Sequence, residues 1–118
     1  MAASRVFVVQ QRFTRQQDGS QRFHDYTPAE RFGTIVYLVP PKSMVDELYG
    51  GDIEKLLKDR LSDFGPDDHL ILSGDPVLCA QCVLWAVSKL DEQVEALSIL
   101  KWRHDVNDYE ITRIPIPY

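Results

Sequence analysis

The chain has 118 residues, 44% of them hydrophobic and 26% charged, with a net charge of −5. That is about one domain's worth, and the balance excludes a disordered chain or one that needs disulfides or a metal for want of a core. No run approaches the roughly 18 apolar residues of a membrane span.

The start, Met1-Ala2-Ala3-Ser4-Arg5, carries no signal-peptide apolar region, so a cytoplasmic protein is expected. Two cysteines, Cys79 and Cys82, fall in an apolar stretch and fit a reducing compartment. Charge is unevenly spread. Residues 1–32 hold five arginines against three acids, whereas residues 43–75 hold nine acids against Lys55, Lys58 and Arg60. Such an acidic chain is a poor partner for nucleic-acid phosphates, although its basic first third leaves room for one local anionic contact. The plainer reading is a solvated surface of mixed sign.

In chain order, Arg5-Val6-Phe7-Val8-Val9-Gln10 is β-branched and aromatic and reads as a strand buried on both faces. Gln11 to Tyr26 is polar, with Phe13 and Phe23 on either side of a turn signal at Asp18-Gly19-Ser20. That suits a hairpin arm or an extended loop. Thr27-Pro28-Ala29-Glu30 has a capping-box pattern with proline at the first helical position, and Gly33 limits it to one turn. Thr34 to Val39 is the second core strand, ended by Pro40-Pro41. Ser43 then caps a helical segment with Met44, Val45, Leu48 and Tyr49, which Gly50-Gly51 interrupts. Ile53, Leu56, Leu57, Leu61 and Phe64 resume at helical spacing with charges between them, a surface amphipathic helix. Gly65-Pro66 ends it.

The stretch from Asp68 to Leu90 organises the rest. His69-Leu70-Ile71-Leu72 is a short apolar run and Ser73-Gly74-Asp75-Pro76 a sharp turn. Val77 to Leu90 is apolar on almost every side. This predicts a buried strand, a glycine turn, and a helix with Asp75 as N-cap and Pro76 at its first position. A helix without a polar stripe is expected in the middle of a layered domain. After a polar turn at Asp91-Glu92-Gln93, Val94 to Trp102 and Tyr109 to Ile116 read as an aromatic-rich hairpin around a turn at Arg103 to Asp108. Pro115 and Pro117 place the last strand at an edge. The order is β-β-α-β-α-β-β. It describes a single α/β (α+β) domain over residues 1–118: a small mixed sheet, two main helices packed on it and a C-terminal β-hairpin.

Each candidate for chemistry has a structural counterpart. Strand, Ser73-Gly74-Asp75-Pro76 and helix together resemble a phosphate-binding turn. However, Pro76 has no N–H to give, Asp75 brings its own negative charge to the positive helix end, and one glycine is not a G-x-G-x-x-G. Cys79-Ala80-Gln81-Cys82 has redox or zinc spacing but lies inside an apolar helix that should raise the thiol pKa. Zinc would need two more ligands, and His24, His69 and His104 are scattered. The cysteines read as small hydrophobes. Lys101-Trp102-Arg103-His104 sets a large aromatic among cations at a strand end. It is either a contact surface or a core tryptophan with solvated neighbours. The histidines have no serine or cysteine partner at a recognisable spacing, and no carboxylate pair is set up for acid–base work. The sequence therefore points to no catalytic residue, no metal, no cofactor and no enzyme.

Four stretches carry a resemblance. They are Phe23-His24-Asp25-Tyr26-Thr27-Pro28-Ala29, Phe32-Gly33-Thr34-Ile35-Val36, Asp68-His69-Leu70-Ile71-Leu72-Ser73-Gly74-Asp75-Pro76 and Leu100-Lys101-Trp102-Arg103. They are similar to a family of small proteins from tailed bacteriophages and prophages, and as short patterns they touch most of the chain. In that family the helix after Gly-Asp-Pro is usually rich in alanine and isoleucine, and Cys-Ala-Gln-Cys departs from it. The family brings no established activity or ligand. The resemblance implies a phage or prophage protein in the cytoplasm of a bacterial host.

Together these readings give an expected function: a small non-enzymatic accessory protein acting through protein–protein contacts, with a host factor or its own copies. Asp75, Lys101, Trp102, Arg103 and Tyr109 are its candidate binding residues. A homodimer through the final hairpin would use the edge strand beside Trp102 and Tyr109. The alternative is a small-ligand or nucleotide-binding α/β module using the strand ends near Gly74 and Asp75. Mimicry of nucleic acid would need a continuous acidic face, and the acids of residues 43–75 are too sparse for one.

Overall fold

The computed structural model describes residues 3–40 and 52–117. The helical segment expected from Ser43, with its Gly50-Gly51 break, lies outside the described residues. The described elements are β1 (Arg5–Gln10), β2 (Phe13–Arg15), β3 (Gln21–Phe23), a 3-10 helix (Thr27–Phe32), β4 (Thr34–Val39) and α1 (Ile53–Arg60). They continue with β5 (His69–Ile71), α2 (Pro76–Ser88), β6 (Ala96–Arg103) and β7 (Asp108–Pro115).

Five strands form one mixed sheet in the order β4-β1-β5-β6-β7. β1 runs parallel to β4 and β5, β5 runs parallel to β6, and only β7 is antiparallel. The fold is α+β, with two α-helices, a 3-10 helix and a C-terminal hairpin among the described residues, and β7 is an edge, where Pro115 is tolerated. The β-β-α-β-α-β-β order lacks what lies between the first two core strands. There the chain makes a separate β2–β3 hairpin, pairing Phe13 with Phe23, and then the 3-10 helix.

The direction of travel explains the two faces. From β1 the chain steps one way to β4, then returns past β1 to β5 and onward to β6. Right-handed crossovers therefore put the first connection on one face and the next two on the other. α1 and α2 cover the second face. Phe7, Val9, Leu38, Leu70 and Leu97 meet Leu56, Leu57, Leu61 and Phe64 from α1 and its exit, and Cys82 and Ala86 from α2. Among the described residues the first face is covered by the 3-10 helix and the arm. Val6, Val8, Ile71, Leu100 and Tyr109 pack there on Tyr26 and Ala29.

Two local expectations need correcting. α2 does not sit in the middle of the domain. It has one sheet face to pack on, buries Cys82 and Ala86, and leaves Val77 66% and Leu84 72% exposed. All-round apolarity carries no direction, so the buried side could not be read from it. Nor does Thr27 form a capping box, since it is the first residue of the 3-10 helix, and the position before it makes no side-chain cap. Instead Asp25 Oδ1 accepts from the Thr27 N–H at 2.9 Å and from the Thr27 hydroxyl.

Candidate functional site

The strand order reverses between β1 and β5, where α/β sheets tend to bind ligands outside the carboxyl ends of their strands. Here that crevice is filled by the protein itself. Gln10, the last residue of β1, is 5% exposed. Its Oε1 accepts from the Asp75 N–H at 3.0 Å, and its Nε2 donates to the Pro40 carbonyl at 3.2 Å. Ser73 Oγ donates to the Gln10 carbonyl at 2.6 Å. Gly74 has φ +94°, and a Cβ there would come within 2.5 Å of the Gln10 side chain. Asp75 is the N-cap of α2, accepting from the Val77 N–H at 2.7 Å. The groups of the Gly74-Asp75 turn are thus already used within the fold.

Beside the filled crevice, the thin cover of the first face leaves an open cleft of about 1170 Å³ between the β2–β3 arm and the distal β6–β7 hairpin. β5 pairs with β6 only at Leu70 and Ile99, and β6 runs on to Arg103. An aromatic cluster forms the floor. The Trp102 ring meets Tyr109 at 4.9 Å and His24 at 6.0 Å between centroids, and His24 meets Tyr26 at 4.7 Å. All these contacts are edge-on, the favoured arrangement of π-quadrupoles.

Hydrogen bonds fix the polar tips of this cluster. Tyr26 is buried, and its hydroxyl accepts from the Arg12 N–H at 3.0 Å and lies 3.1 Å from Ser73 Oγ. Ser73 spends its only proton on Gln10, so Tyr26 is the donor to Ser73. Tyr109 Oη lies 3.3 Å from His24 Nε2, and the Trp102 indole donates to His104 Nδ1 at 3.2 Å. Burial, with Tyr26 and Asp25 nearby, pushes the Tyr109 hydroxyl well above its ordinary pKa, so it stays a protonated donor.

The five residues singled out from the sequence are brought only partly together. Lys101, Trp102 and Tyr109 all line the cleft. Arg103 does not; it pairs with Asp105 and, at 2.7 Å, with Glu110. Asp75 is held at the α2 cap. The arm residues Arg12, Arg22, Phe23 and His24 also line the cleft and were missed. The polar arm offered a turn signal but no hint of which strand end it would fold over.

A second pairing was missed altogether. His69 Nδ1 lies 2.5 Å from Ser98 Oγ, a partner that no recognisable spacing in the sequence offered. The two are 29 residues apart and meet because β5 and β6 are adjacent parallel strands. Ser98 is buried, and neither residue lines the cleft. Desolvation lowers the His69 pKa. Both cysteines have raised pKa values for the same reason, Cys82 to about 12. Among the described residues no three histidine, cysteine or acidic side chains converge to hold a metal ion. No described helix is long and apolar enough to cross a membrane.

The model of the phage Pam3 gp32-like protein family matches residues 4–116, a span that takes in the arm, both faces of the sheet and the final hairpin. The chain belongs to this phage protein family. Neither a curated protein nor a solved structure gives a significant match. Membership in the family agrees with the phage resemblance of the sequence.

Proposed function

We propose that this family member is a non-enzymatic phage accessory protein that acts through protein contacts made at the outer edge of β7. The observation that carries the reading is the state of that edge. Ile111 to Pro115 is exposed throughout, with Ile111 40% and Ile114 44% accessible. Arg31 covers only the beginning of β7, donating to the Tyr109 carbonyl at 2.8 Å. At the opposite edge Arg60 donates to the carbonyls of Tyr37 and Leu38 at 2.9 and 3.0 Å, which blunts β4. An open edge with apolar side chains is suited to receive a strand from a second copy or from a host protein. The non-enzymatic part is supported by the use of Ser73, Ser98, His69 and Cys82 in internal bonds and packing.

The Tyr109 carbonyl faces outward and the Ile116 N–H faces β6, so Ile111 and Arg113 present the outward N–H groups; Arg113→Pro removes one of these and should abolish strand addition while leaving the inner strands intact. The measurement compares wild type and variant by analytical ultracentrifugation and by capture from host lysate. Self-association, or a stoichiometric partner, that the variant loses while keeping its circular dichroism spectrum would support the reading. A wild-type protein that stays monomeric and partnerless, or a partner held equally by both, would sink it.

A further inference from the structure

We propose that the cleft between the β2–β3 arm and the β6–β7 hairpin is a binding site for a free nucleotide, its base against the aromatic cluster and its phosphate on the arm cations. Antiparallel pairing sets Thr14 opposite Arg22 and Phe13 opposite Phe23. Arg12, Thr14, Arg22 and His24 therefore share one face of the arm, since facing residues and alternate residues lie on the same side. His24 on that face is packed against Trp102, so the same face turns Arg12 and Arg22 toward the cleft. Lys101, on the other face of β6 from Trp102, lies at the rim of the cleft.

Among the described residues the side chains of Arg12, Arg22 and Lys101 make no ion pair, whereas those of Arg5, Arg31 and Arg103 do. The one carboxylate in the lining, Asp25, is bonded to Thr27. The cleft therefore carries a local positive charge on a molecule of net charge −5. For the ring, half-buried Trp102 forms the floor, and Phe23, 44% exposed on the other face of the arm, reaches only the rim; Leu72, 41% exposed, adds apolar surface. Stacking surface next to unpaired cations is the chemistry that recognises a base joined to a phosphate. The acid-rich remainder of the chain opposes a long polyanion, which favours a discrete nucleotide over a strand. Tyr109, Thr112 and Ile114 of β7 also line the cleft, but Arg12, Arg22 and Trp102 lie outside β7, so variants of the arm arginines test this site apart from the edge contact.

The test is a titration of the ¹⁵N-labelled full chain followed by two-dimensional NMR. The probes are the four nucleoside monophosphates, with inorganic phosphate, the parent nucleosides and a short single-stranded oligonucleotide as controls. The chain has two tryptophans, Trp85 and Trp102, and a Trp85→Phe variant assigns their indole signals. A nucleoside monophosphate should shift the Trp102 indole and the amides of the arm, leaving the Trp85 indole in place. Phosphate or nucleoside alone should need about tenfold more to give the same shift. Arg12→Ala and Arg22→Ala, both at exposed positions, should each weaken binding by about tenfold. The proposal is overturned by no shift up to about 10 mM, a range that reaches very weak sites. Shifts confined to other surfaces, or inorganic phosphate acting as well as the nucleotides, overturn it too. Tighter binding per nucleotide by the oligonucleotide overturns the discrete ligand in favour of a strand.

Discussion

Tyr26 joins three segments through one oxygen, accepting from the Arg12 backbone and donating to Ser73, which in turn holds the end of β1. Tyr26→Phe keeps the ring but removes a donor from the buried Ser73 hydroxyl and an acceptor from the part-buried Arg12 N–H, so it should cost about 1–2 kcal/mol in urea unfolding. A neutral effect would mean that water replaces the hydroxyl. His69 and Cys82 give opposite pH signatures. Burial lowers the His69 pKa below 6.5, so below that value the unfolded chain binds a proton that the folded chain refuses. Stability from His69 is present above about pH 6.5 and is lost as pH falls through the lowered folded value. Cys82 is raised from 9.0 to about 12, so its contribution is complete below 9 and fades as pH rises through that window. Denaturant midpoints across pH should show both slopes. His69→Phe should flatten the acid one and Cys82→Ala the alkaline one; slopes unchanged in these variants would refute the assignments.

At the scale of elements, the Ser73 to Pro76 turn was the most legible part of the chain. Proline after aspartate after glycine leaves little but an N-cap with a positive-φ residue before it, and Asp75 caps α2 in just that way. Gly74→Ala combines backbone strain with the Gln10 clash and should cost about 1–3 kcal/mol by thermal unfolding. The arm was only half legible. Phe13 and Phe23 left a hairpin or an extended loop open; their rings meet at 6.1 Å in a hairpin, and its docking over the sheet depends on Tyr26, Trp102 and Tyr109, far apart in sequence. α2 misled, because apolarity without periodicity hides which side faces solvent. Leu84→Lys on the open side should therefore change stability by no more than about 0.5 kcal/mol. Ala86→Lys, at a fully buried position, should unfold the domain or nearly so. Similar losses from the two lysines would show that α2 is enclosed after all.

For the whole molecule, strand order decides where everything lies, and strand order is what a single sequence conceals most. The composition of β1 and β5 marked them as interior, but nothing local says that β4 and β5 flank β1 or that Ser98 comes to His69. One ion-pair cluster links the amino ends of these central strands. Arg5 donates through its backbone N–H, Nε and Nη2 to Asp68 at 3.0, 3.3 and 2.8 Å, and through Nη1 to Asp63 at 3.1 Å. Asp68 also accepts from the Gly65 N–H at 2.9 Å and is 5% exposed. It thereby ties β1, the α1 exit and β5 together at one carboxylate. Removing the Asp68 carboxylate leaves Arg5 paired with Asp63 but deprives the Arg5 and Gly65 N–H groups of their acceptor, which should cost about 2–3 kcal/mol. Against a domain stability of about 5–15 kcal/mol, Asp68→Ala should consume a large share of the margin. Asp63→Ala, whose carboxylate is 72% exposed, should cost no more than about 1 kcal/mol. Urea midpoints for the two variants decide the matter: equal, small shifts would mean that the central strands are held by packing alone.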